Sequence, residues 1–122
     1  MTCAAAPAYV AAVLMLYVDL PETPLRPTAR DHWLAGQLHQ QGAPIDLVES
    51  ALLLGSLRRL MRPADLPPLP PIRSLAYFQP VITELKQQPL PHGYLDYLRS
   101  KFHKAVKSLA TEVQKTTVSD DR

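Results

Sequence analysis

One cysteine in 122 residues, Cys3, leaves no partner for an internal disulfide. A lone thiol suits a reducing, cytoplasmic setting and excludes a thiolate metal site. Four glycines are too few for a Gly-rich phosphate loop or a run of tight hairpins. No alternating strand pattern and no internal repeat stand out. The P-loop, H-E-x-x-H, G-x-S-x-G and C-x-x-C motifs are all absent. No Lys or Arg precedes Arg26, so the basic region of a secretory signal is missing. The uncharged run ending at Val18 contains Pro7 and is shorter than the roughly 20 apolar residues of a membrane span. A buried first helix is expected there, with no membrane association.

What the chain has in excess is proline, 13 residues of it. Proline inside a helix costs about 3 kcal/mol, so its clusters mark boundaries. The stretches between them are helix-length, and the expectation is an all-α, compact bundle of about five helices. At 47% apolar residues, one small core is within reach for a single domain over residues 1–115, with a polar tail at 116–122.

The first helix is predicted over 8–20, with Val10, Val13, Leu14, Tyr17 and Val18 at helical spacing and apolar residues on its other sides too. The second covers about 30–41. Thr28 is its N-cap with Asp31 in the first turn, Trp33, Leu34 and Leu38 form its apolar face, and Gly42 is a left-handed terminator. The third covers about 47–61, is apolar around most of its circumference and reads as the central helix; Asp46 and Glu49 resemble a capping box. Residues 63–71, Pro-Ala-Asp-Leu-Pro-Pro-Leu-Pro-Pro, form a Pro-rich extended strap between helices three and four, with Leu66 and Leu69 expected on the core. A rigid connector is the simpler reading of this strap. Its P-x-x-P pattern also fits a ligand for a proline-binding module. The fourth helix, about 75–87, is capped by Ser74, and Pro80 should bend it or split off a first turn. The fifth begins near His92 or Gly93, with Leu95, Leu98, Phe102, Ala105, Val106, Leu109 and Val113 as its stripe.

Catalytic constellations are missing, so no enzyme activity and no cofactor are expected. His32 and His39 are seven residues apart, about 10 Å along a helix, too far to share a metal ion. Asp31 beside His32 is too common a pair to imply general base catalysis.

Net charge is only +2, but its distribution is uneven. Residues 1–56 carry two basic and five acidic side chains; residues 57–107 carry nine basic and three acidic. The basic surplus lies in Arg58, Arg59 and Arg62 at the end of helix three, in Arg73, and in Arg99, Lys101, Lys104 and Lys107 on helix five. Tyr94, Tyr97, Lys101 and Lys104 fall in one row on that helix; Arg99, His103 and Lys107 fall in another. Cations for phosphates beside a tyrosine for base stacking suit DNA or RNA, and Tyr97 is the stacking candidate. A solvated helix face gives the same pattern.

Gln41 to Ile45 forms a short Gly-containing turn that fits helix-turn-helix geometry. An acidic start and an apolar circumference on helix three fit an ordinary αα-hairpin better.

Two stretches, Gln41-Gly-Ala-Pro-Ile-Asp-Leu-Val-Glu-Ser-Ala-Leu-Leu-Leu54 and Pro71-Ile-Arg-Ser-Leu-Ala-Tyr-Phe-Gln-Pro-Val-Ile82, resemble short bacterial proteins. They also resemble the C-terminal helical regions of replication-initiation proteins from phages and mobile elements. The resemblance spans residues 41–85 and implies an all-α module associated with DNA in a replication or mobile-element setting. It carries over no catalytic residue, and singles out Arg73, Tyr77 and Phe78. The separate N-terminal DNA-binding domain of those proteins is missing from this chain. Two other classes share its size and character: a small all-α subunit of a larger nucleoprotein complex, such as a CRISPR effector, and a protein-only adaptor.

Overall fold

The computed structural model describes residues 2–63, 65–67 and 69–120, with side chains described over 7–63, 65–67 and 69–108. It is all helical. The elements are α1 (Thr2–Val18), α2 (Ala29–Gln40), α3 (Ile45–Leu60), a 3-10 turn (Leu75–Phe78), α4 (Gln79–Gln87) and α5 (Tyr94–Asp120).

Local chemistry explains most of the boundaries. Thr28 and Asp31 form a reciprocal capping box at the start of α2. Gly42 takes φ +74° just beyond the end of α2, where a side chain would be strained. Ser74 caps the 3-10 turn by accepting the Ala76 N–H, and Pro80 falls in the first turn of α4, where its missing N–H costs no helix bond. The split that Pro80 predicts is thus the junction between the turn and α4.

Other boundaries differ from the sequence reading. α1 begins before Pro7, which forfeits only the bond to the Cys3 carbonyl, and the alanines around it favour helix. α3 starts at Ile45 with Pro44 as N-cap, so Asp46 lies inside the first turn and makes no capping bond. Proline's fixed φ supplies the entry geometry instead. The helical backbone of α5 continues to Asp120, beyond residue 115. The stripe positions Leu109 and Val113 lie outside the described side chains.

α3 is the central helix. It packs against α1, α4, α5 and the 3-10 turn, while α2 packs against α1 and the turn. Val48, Ala51, Leu52, Leu53 and Leu57 of α3 meet Val13, Leu14 and Tyr17 of α1, Leu34 and Leu38 of α2, Phe78, and Ile82 and Leu85 of α4 in one core cluster. With most of its surface buried, α3 has no free face to enter a DNA groove. A short turn joins α2 to α3, but α2 packs mainly on α1 and α3 mainly on α4 and α5, not on each other, so they do not form the expected αα-hairpin. Phe78 is the hub: its ring meets Tyr17 edge-on at 6.2 Å and closes over Gly55 of α3.

Two apolar assignments are corrected. Trp33 is 57% exposed. The buried stripe of α2 is Asp31, Leu34, Ala35 and Leu38, and Asp31 occupies the helical position that Trp33 misses. α1 buries one face, not several sides: Met15 is 71% exposed.

The strap is held differently from the expectation. Leu66 and Leu69 are both exposed, and Ile72 is the buried anchor. Polar contacts do the rest. Ile72 N–H donates to the Glu22 carbonyl, Arg59 donates to the Pro70 carbonyl and Arg62 to the Pro67 carbonyl. Glu22 has φ +66°, unusual for a non-glycine residue, and its carboxylate binds Arg59. Main chain and side chain of Glu22 therefore clasp the α1–α2 loop to the exit of the strap.

Candidate nucleic-acid interface

α5 seats itself through Leu98, which is fully buried, with Tyr94, Leu95, Phe102 and Ala105 packed beside it. This face fixes the rotation of the helix. Tyr97, Lys104 and Lys107 are consequently exposed, and Lys101 is half-buried. The spacing of four between Tyr97 and Lys101 puts the Lys101 ammonium over the Tyr97 ring, 5.8 Å from its centroid. Tyr94 also approaches Tyr97, with ring centroids 5.2 Å apart and the rings tilted by 40°. Tyr97 thus touches both neighbours and is still 51% exposed.

The arginines behave differently. Arg99 makes a two-pronged pair with Glu49 of α3, both contacts at 2.8 Å, and reaches Asp96 at 3.3 Å. Hydrogen bonding to Glu49 raises the Arg99 guanidinium further above its usual range. Arg58 makes a similar pair with Glu84 of α4, at 3.0 and 2.8 Å, and holds the Glu84 carboxyl below its ordinary value. Arg59 is only 6% exposed at its side chain. It contacts Glu22 at 2.6 Å and the Pro70 carbonyl at 2.8 Å, and lies over the Tyr77 ring at 5.2 Å. Its Nε is buried without a partner among the described residues.

The nine predicted basic and aromatic positions therefore differ in what already engages them. Arg58, Arg59 and Arg99 each already face a carboxylate and tie elements together. Arg62 leans on the Pro67 carbonyl. Arg73 is exposed, with no hydrogen bond or ion pair among the described residues. Lys101, Lys104 and Lys107 follow Tyr97 along one helix, so the compact part of the predicted surface is the outer side of α5. Of the aromatics singled out by resemblance, Phe78 is core and Tyr77 is 42% exposed beneath Arg59.

The carboxylates that take up Arg58, Arg59 and Arg99 lie 26, 37 and 50 residues away. Charge counted by segment carries no signal of such pairing. His39 stacks edge-on against Tyr9 at 5.1 Å, and His32, His92 and His103 are exposed. Among the described residues no three His, Cys, Asp or Glu side chains converge as a metal site requires. No described helix is long and apolar enough to cross a membrane. Comparison with known proteins returns no matching family model, no matching curated protein and no matching solved structure.

Proposed function

We propose that this chain is a small non-enzymatic helical module that binds nucleic acid along the outer face of α5. The carrying observation is the Tyr97–Lys101 pair: an exposed ring braced by an ammonium, with Lys104 continuing the row and Lys107 on the neighbouring one. Such a face offers a base a stacking surface and gives adjacent phosphates cations within one or two helical turns. Single-stranded nucleic acid is favoured, because its bases are free to stack. A cytoplasmic, replication or mobile-element setting belongs to the same proposal and rests on the sequence resemblance and the lone cysteine. A role as an accessory subunit or adaptor finds its foothold in the exposed Trp33 ring on α2.

The test is a set of binding titrations with a single-stranded oligonucleotide at several salt concentrations. Each cation withdrawn from a phosphate of a single strand lowers the salt slope by about 0.7. Changing Lys101, Lys104 and Lys107 together to Gln should flatten the dependence by roughly 2 units. Tyr97→Ala should weaken binding by about 1 to 3 kcal/mol with little change of slope. An unchanged affinity and slope in the folded triple variant would remove the proposal and leave the adaptor role.

A further inference from the structure

The outermost line of α2 carries no charge. At 100° per residue, Asp31, Leu34, Ala35 and Leu38 form the buried stripe, and Ala29, Trp33, Gly36 and Gln40 run along the opposite side. A surface helix ordinarily places its charged residues there. Spacings of four, three and four are instead those of a seam between two packed helices. Among the described residues nothing covers this seam. Ala29, Trp33 and Gln40 are exposed, and a Cβ built on Gly36 meets nothing within 4 Å. A glycine inside a helix lowers its stability relative to alanine, and no neighbour in the fold needs the missing side chain. What Gly36 does leave is a notch, three residues from the chain's single tryptophan.

The four positions are also symmetric. Residues 33 and 36, like 29 and 40, lie equally far from the point midway between Leu34 and Ala35. A second α2 laid antiparallel about a two-fold axis at that point sets each Trp33 against the partner's Gly36. Each Ala29 then meets the partner's Gln40. The large side chain faces the empty notch at both central positions, so one face supplies knob and hole alike. Charge favours the same direction. Arg30 is exposed and has no hydrogen bond or ion pair among the described residues. Antiparallel pairing carries it to the C-terminal turn of the partner's α2, where the helix carbonyls favour a cation. Parallel pairing would crowd the two Trp33 rings together and oppose the two Arg30 charges.

We propose that α2 is the contact face of a homodimer, in which two copies of this chain pair antiparallel with each Trp33 seated over the partner's Gly36. The 12 residues of α2 make a helix about 18 Å long. So short a contact falls below the roughly 1,200 Å² of a stable complex, and the pairing is weak, with a Kd on the order of micromolar or above. It uses no residue of the α5 face.

Trp33 is the only tryptophan, so intrinsic indole fluorescence reports this face alone. Sedimentation equilibrium and Trp33 emission are to be followed together on the full chain, from about 1 to 500 μM. The average mass should rise toward that of two chains. Emission should move to the blue over the same range, as pairing takes water from the indole. Gly36→Lys fills the notch and puts a charge in the seam. It should weaken the pairing at least about tenfold and hold the emission at its dilute value. Trp33→Ala should weaken the pairing as much, read by mass. Circular dichroism checks that both variants keep the helical fold. Lys101→Gln with Lys104→Gln should pair as the parent does, which separates this surface from the nucleic-acid face. A parent chain that stays monomeric with unchanged emission throughout would overturn the proposal. A dimer indifferent to Gly36→Lys and Trp33→Ala would overturn it equally, because its interface would lie elsewhere.

Discussion

Asp31, in the first turn of α2, accepts a hydrogen bond from the Leu75 N–H at 2.9 Å, across 44 residues of sequence. The same Oδ1 accepts the Ser74 hydroxyl at 3.3 Å, and Oδ2 accepts the Thr28 N–H at 2.8 Å. One fully buried carboxylate thus starts two elements, α2 and the 3-10 turn, and fixes the exit of the strap against the α2 terminus.

Replacing Asp31 by Ala should therefore cost more than removing an ordinary helix cap. A cap is worth about 1 kcal/mol, and an orphaned buried N–H at Leu75 about 1 to 3 kcal/mol more. Asp31→Asn keeps one acceptor oxygen and should cost less than Asp31→Ala. Urea unfolding followed by helical circular dichroism ranks the two variants; equal stability of Asp31→Ala and the parent would refute this role.

Tyr17 sets an alkaline limit. Burial, and secondarily the Asp31 charge, push its phenol up to about 12 from 10.0. The folded state thus retains the proton where the unfolded chain releases it. The stability contributed by the neutral phenol is complete below pH 10.0 and lost as pH rises through about 12. A shift of this size corresponds to about 2 to 3 kcal/mol. Its hydroxyl is buried with no partner among the described residues, so Tyr17→Phe should be neutral or stabilising by about 1 kcal/mol at pH 7. The Phe variant should also keep more of its stability between pH 10 and 12 than the parent does, as paired denaturation curves would show.

Two helical glycines should respond in opposite directions. A Cβ on Gly55 would lie 2.8 Å from Phe78 Cδ1 and 2.9 Å from Cε1, against a ring held in the core. Gly55→Ala should cost about 1 to 3 kcal/mol despite the better helix propensity of alanine. A Cβ on Gly36 meets nothing within 4 Å, so Gly36→Ala should stabilise by about 0.5 to 1 kcal/mol. Melting temperatures of both variants, moving apart from the parent value, check the contrast.

Arg99→Ala should destabilise the domain by about 1 kcal/mol, because the two-pronged pair with Glu49 joins α5 to α3 while remaining partly open to water. Lys104→Ala should change stability by less than about 0.5 kcal/mol. Thermal unfolding at low and high salt distinguishes them: the Arg99 effect should shrink as salt rises.

Local signals in the sequence were legible because their causes are local. Thr28 and Asp31, Gly42, Ser74 and Pro80 each act within one helical turn, and the structure bears out each of them. The clean stripe of α5 likewise places Leu98 inward and Tyr97 outward. Pattern reading fails where the partner is distant. Apolar bookkeeping assigns Trp33 to the core, but the stripe position goes to Asp31, whose polarity is satisfied by Leu75 and Ser74 far along the chain. Leu66 and Leu69 look like anchors by composition, but both are exposed and Ile72 is the buried residue, its N–H bound to the distant Glu22 carbonyl. The basic cluster at the end of α3 looks like a phosphate site until Glu84 and Glu22 arrive from other elements.

The Glu22 clasp has a mechanical meaning as well. The chain enters the α2–α3 stretch beside the point at which it leaves, with the Glu22 carbonyl 2.9 Å from the Ile72 nitrogen. A pull on α1 against α4 is therefore shared between this clasp and α3, which packs on both helices. Under tension the molecule should hold until clasp and core packing yield together, and then lengthen in one step instead of unravelling turn by turn.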